Sequence, residues 1–216
     1  IDTTITSLDL DNTHSGNVDI NETDALSISK IAQGGAGTVN VDAGGTITVA
    51  GAVTATTGNV ELDSAASIAV NAAVTTDDGA GTANGGDISL LADASVTFAA
   101  AGDVTSDGGV VTVTGDIAGG NNGGVITMTD GAVINAGSGT IALSTDGNVT
   151  LGQLVTSNTV SITSTSGGLV DGGDAGGTDI QASTATIDAK TGVGHAGAID
   201  TTITSLDLDN THSGNV

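Results

Sequence analysis

Carboxylates carry the clearest chemistry in this chain: 25 Asp and Glu stand against two Lys, with no Arg. Six of them have the type and spacing of oxygen ligands for a hard cation. Asp2, Asp19 and Glu61 each sit second in a short triplet, Ile1-Asp2-Thr3, Val18-Asp19-Ile20 and Val60-Glu61-Leu62. If such triplets stack on one another, their middle residues form an outward column spaced about 4.8 Å apart. Asp2 and Asp19 would then be neighbours and repel by about 1 kcal/mol even in water. Ca²⁺, which takes carboxylate and carbonyl oxygens in flexible geometry, would remove that repulsion. The second candidate is the loop DGGDAGGTD, with Asp171, Asp174 and Asp179 as its acids. It matches neither an EF-hand loop nor the Gly-rich nonapeptide calcium repeat. For both groups the competing reading is a solvated acidic stripe screened by salt. No motif requires a cofactor, and Ca²⁺ is the one ion the composition suggests.

Other chemistry is thin. Gly192–Gly197 (GVGHAG) satisfies G-x-G-x-x-G, but a strand-like stretch follows it where a phosphate site needs a helix N-terminus. These are read as corner glycines. Of the three His, His14 and His212 occupy the same place in two identical segments. There is no Cys, no nucleophile elbow and no Arg to clamp an anion. Phe98 is the only aromatic residue of the Phe, Tyr and Trp types, so the stacking platforms of a sugar-cleaving site are missing. An enzyme is not expected. The formal net charge of −23 excludes a basic face for nucleic acid and repels anionic membranes. No apolar run is long enough to span a bilayer.

The elements that must position these residues are strands. Apolar-polar-apolar triplets recur at Ile1, Val18, Val39, Val60, Ile88, Val111, Ile126, Ile141, Val160, Ile180 and Ile199. A second alternating segment follows most of them, as in LSISKI (Leu26–Ile31), TITVAGAV (Thr46–Val53) and NVTLGQLV (Asn148–Val155). Alternation with β-branched residues gives strands that are buried on one face. Asp-Gly and Asn-Gly pairs between the segments supply tight corners. No stretch carries a helical period with caps. Steps of about 20 residues, each with two or three short strands, suit one circuit of a coil. The expected architecture is therefore all-β: a right-handed parallel β-helix (β-solenoid) of about ten coils per 198-residue period. Thr75–Asp87 is expected to form a protruding loop, and the coil boundaries between Val111 and Ile141 are the least defined.

The period comes from IDTTITSLDLDNTHSGNV, which is identical at Ile1–Val18 and Ile199–Val216. Residues 1–198 are read as one full period of a continuous solenoid, and 199–216 as the first coil of the next. There are no separate domains. The chain is thus a window on a longer array that continues into identical repeats along its axis.

Two strings, GNVTLGQLVTSNTVSITSTSGGLVDGG (Gly147–Gly173) and GAIDTTITSLDLDNTHSGNV (Gly197–Val216, continuing as DINETDALSI in the first copy), resemble the filamentous-haemagglutinin-like repeat regions of giant bacterial surface proteins. The resemblance implies a right-handed parallel β-helix exported to the cell surface of a Gram-negative bacterium, with no catalytic residues. It points to a structural segment of a long extracellular fibre or adhesin-like filament. A second reading is a self-assembling sheath or surface-layer component with Ca²⁺-bridged lateral contacts between rods. A third is a polysaccharide-degrading enzyme on the same scaffold.

Overall fold

The computed structural model describes residues 1–77, 84–117, 123–173, 175, 177–195 and 197–216. Every strand pairing in it is parallel. Each coil contributes strands to as many as three columns, and like strands stack from coil to coil. The first column holds ten strands. They are Asp2–Thr3, Val18–Glu22, Val39–Ala43, Val60–Ser64, Ile88–Ala92, Val111–Gly115, Ile141–Thr145, Thr159–Ser164, Thr184–Ala189 and Ser205–Asn210. The second column starts on Leu26–Gln33 and continues through Ile47–Val49, Ile68–Val70, Val96–Phe98, Ile126–Met128, Val149–Leu151, Leu169–Asp171 and Val193–His195. The third starts on the later half of Leu26–Gln33 and runs from Val53–Ala55 to Thr201–Thr202. The result is a β-solenoid of about nine turns, with no helix among the described residues.

Alternation explains both the strands and the core. In the first column Val39, Val41, Val60, Leu62, Ile88 and Leu90 point inward and are at most 1% exposed. Their strand neighbours Asn40, Glu61 and Ser89 point outward. Stacked positions carry like residues, as in Ile47 on Ile68 on Val96 on Ile126. Each fully buried aliphatic contributes about 1.5–3 kcal/mol. A single coil buries too few of them to offset its lost chain entropy, so the stack is the folding unit.

Corners are closed by side chains that reach one coil along. The Oδ1 atoms of Asn17, Asn59 and Asp87 accept the amide N–H groups of Thr38 (3.1 Å), Asp87 (2.9 Å) and Val110 (2.8 Å). Inside the next corner, the hydroxyls of Ser64, Thr145 and Ser164 donate to the carbonyls of Gly45, Gly124 and Gly147. Backbone groups that leave the sheet ladder at a bend are thereby satisfied without water.

Two expectations are corrected. Ile126–Met128 belongs to the second column, stacked on Val96–Phe98, so Val111 to Ile141 is one long coil and not two short ones. Ile180–Gln181 and the stretch at Ile199 lie in the third column; the first-column strands there are Thr184–Ala189 and Ser205–Asn210. The turn count of about nine still agrees roughly with the ten coils expected. The physical reason is that all three columns demand the same apolar-polar-apolar alternation, so a triplet does not reveal which column it occupies. Six of the 13 residues of the loop expected at Thr75–Asp87, 78–83, lie outside the described residues. Thr76, at its start, is buried and donates its hydroxyl to the Gly86 carbonyl at 2.6 Å.

The duplicated segment takes two different places. Ser7–Asn12 stacks on Leu26–Gln33, setting Leu8 against Ile28 and Leu10 against Ile31. The identical Ser205–Asn210 stacks in the first column on Thr184–Ala189, setting Leu206 against Ala185 and Leu208 against Ile187. Alternating leucines suit either column, so neighbours and not sequence decide the placement.

Candidate functional site

The outward column starts at Asp19 and runs Asp19, Asn40, Glu61, Ser89, Thr112, Ala142, Ser161, Thr186 and Asp207. Asp2 is not stacked on Asp19: it pairs with Asn21, two residues further along. The expected Asp2–Asp19 repulsion therefore does not arise. Thr127, Gln181 and Asp200, read as column members from their triplets, belong to the other columns or their corners. Asp19 and Glu61 are two rungs apart with Asn40 between them, and the Asn40 amide donates to Asp19 Oδ1 at 3.4 Å. An open groove of about 310 Å³ runs over them, lined also by Asn17, Thr38 and Asn59.

The second candidate group is divided between two columns. Asp171 ends a second-column strand, and its Oδ1 accepts the Gly173 N–H at 2.7 Å. Asp179 is buried just before the third-column strand Ile180–Gln181, and its Oδ2 accepts the Asp200 N–H at 2.8 Å. Asp174 lies outside the described residues. Among the described residues, no three His, Asp or Glu side chains form a cluster able to hold a metal ion. In the GVGHAG stretch, Val193–His195 is a second-column strand carrying a register shift, with Gly192 and Gly194 at positive φ.

Sequence reasoning misses two acidic features. Asp42 and Asp63 stack directly, and Asp93 lies close to them. Burial, followed by repulsion from Asp42 and Asp93, raises the Asp63 carboxyl above its ordinary range. The 21-residue spacing of Asp42 and Asp63 is a usable signal for that pair. The second feature joins Asp116 and Asp146 at the corner after Val111–Gly115, which depends on a bend that composition does not reveal.

Glu22 is a different kind of acid. It is 1% exposed, faces the corner and accepts the Thr3 hydroxyl at 2.5 Å and the Ile5 N–H at 2.8 Å. The Thr3 hydroxyl, against the opposing effect of burial, and the backbone N–H groups of Ile5, Asp24 and Thr23 hold its carboxyl below the ordinary 4.5. A depressed acid stabilises fully above its unfolded pKa, and that contribution is lost as pH falls through the folded value. Hydrogen exchange at the Ile5 amide is therefore expected to show protection that is full above pH 4.5 and declines below it. Glu22→Gln should remove this pH dependence.

No family model matches the sequence, and no match was found among curated proteins or solved structures. The fold itself defines the class: a parallel β-solenoid built from stacked repeats, with no helix long and apolar enough to cross a membrane among the described residues.

Proposed function

We propose that this chain is a structural segment of a long extracellular fibre or adhesin-like filament, of the filamentous-haemagglutinin-like kind found on Gram-negative cell surfaces. The observation that carries this reading is the first column, which runs in parallel register from Asp2–Thr3 to Ser205–Asn210 without a missing rung. Both copies of the 18-residue segment are incorporated in the stack and no linker separates them from it. A solenoid of this kind extends by adding coils, because each coil needs only its neighbours. The role is mechanical: a stiff rod whose backbone is paired along its length. This role requires no catalytic step, and enzyme activity is not proposed.

A sheath or surface-layer component is the second reading, favoured by the outward carboxylates Asp19, Glu61 and Asp207 that a divalent cation could bridge between rods. Antibodies raised against the segment and applied to intact cells of the source organism test the first reading. Decoration of filaments outside the envelope is the expected result. Labelling that appears only after permeabilisation would contradict it.

A further inference from the structure

We propose that the corner formed by Asp116 and Asp146 is a binding site for a hard divalent cation, with Ca²⁺ the fitting ion. Asp116 is the only non-glycine residue at positive φ (64°) among the described residues. Asp tolerates that left-handed conformation better than most side chains, but the position is still unfavourable. The bend turns a side chain inward that would otherwise meet solvent. Asp116 is nine-tenths buried, and its Oδ1 is inaccessible and has no hydrogen-bond partner. A buried carboxylate oxygen without a donor is unfavourable unless a proton, a water or a cation meets it.

The surroundings favour a cation. An open groove of about 370 Å³ passes over Asp116; besides Gly115 and Ile117 it is lined by the oxygen-bearing side chains of Thr114, Ser144, Thr145, Asp146 and Thr165. Asp146 and Asp116 share one support, the Gly123-Gly124 corner. The Gly123 N–H donates to the Asp146 carboxylate, and Gly124 packs so closely that an added Cβ would lie 3.0 Å from Asp116 Cβ. Asp146 is held ionised below its ordinary range, first by the Ser166 hydroxyl at 2.6 Å and then by that of Thr165 at 2.7 Å. The one positive group acting on it is Lys190. Two carboxylates and several hydroxyls in a roomy groove suit Ca²⁺, which accepts mixed oxygen ligands and retains water, better than the stricter geometry of Mg²⁺.

Binding can be measured on the whole chain with Ca²⁺ by calorimetry, and with Eu³⁺ excited directly, since no Trp or Tyr is present to sensitise it. A luminescence lifetime longer than that of the aqueous ion would report displaced waters. Because a chain of charge −23 attracts cations generally, Asp188→Asn, at an exposed carboxylate of the first column, serves as the charge-matched control. Asp116→Asn keeps a side chain compatible with the left-handed bend, and Asp146→Asn alters the site without touching the bend. The expected result is at least tenfold weaker Ca²⁺ binding in both site variants, with a shortened Eu³⁺ lifetime and near-normal binding in Asp188→Asn. The same small loss in all three variants, or no saturable binding by the unaltered chain, would overturn the proposal.

Discussion

Replacing Phe98 by alanine is expected to remove about 3–5 kcal/mol of stability, among the largest effects of any single truncation in the chain. Phe98 is 1% exposed and stacks between Val70 below and Met128 above in the second column. It is the bulkiest side chain of an interior otherwise filled by Val, Ile, Leu, Ala and Met128, and none of these matches the volume it leaves. The two rungs above and below are fixed by ladder hydrogen bonds and cannot close on the gap. Leu62→Ala, also fully buried, should cost about 2–5 kcal/mol. Denaturation followed by far-UV circular dichroism gives both values, because the chain lacks Trp for fluorescence. A loss below about 1 kcal/mol at Phe98 would mean that the second column is not packed against the first.

Adding one methyl group at Gly109 is expected to cost about 3 kcal/mol, close to the effect of deleting a buried leucine. Gly37, Gly58, Gly86, Gly109 and Gly139 form a column, each two residues before a first-column inward residue. A Cβ on any of them would run into the carbonyl of the glycine one coil below: Gly16 under Gly37, Gly86 under Gly109, Gly109 under Gly139. The obstacle is backbone, so no side chain can turn away. Gly109 is also held from the other side, since its N–H donates to Ser106 Oγ at 2.9 Å while that hydroxyl donates to Gly86 O at 2.9 Å. Gly123 provides the contrast. It has φ +70° but no atom within 4 Å of the point a Cβ would occupy, so Gly123→Ala should cost only about 1 kcal/mol of backbone strain. Equal losses at Gly109 and Gly123 would show that close approach is not what selects glycine in this column.

That contrast marks where the sequence is informative and where it is not. Alternation around Val39, Val60 and Ile88 makes the strands, the inward faces and the coil repeat legible, because burial on one face leaves a period of two. It does not distinguish Ile126 in the second column from Ile141 in the first, since both face the same narrow interior. Glycines are legible as corners, but most of the glycine column does not use positive φ; what excludes a side chain is a carbonyl one coil away, a long-range fact. The candidate acids divide in the same way. Asp19 and Glu61 share a face as their triplets imply, whereas Asp2 misses the column because its short strand pairs two residues out of step. Asp116 carries no signature at all, because its burial follows from a bend and from Gly124 packing beside it.

The duplicated segment bears most directly on the proposed array. A rod whose period is 198 residues must complete a whole number of turns per period, so identical segments must hold identical places. Stacking Ser7–Asn12 on Leu26–Gln33 and Ser205–Asn210 on Thr184–Ala189 cannot both persist at every junction. If the first arrangement prevails, each period has nine first-column rungs; if the second, it has eight, with Val18–Glu22 moved to the second column. Rungs about 4.8 Å apart then give an axial repeat of about 43 Å or about 38 Å. Cryo-electron microscopy of the native filament, with the axial repeat assigned to the 198-residue sequence period, is the measurement. A rung spacing near about 4.8 Å and a repeat at one of those two lengths is the result expected. A period that spans a much longer distance, or one interrupted by gaps between folded beads, would contradict a continuous solenoid.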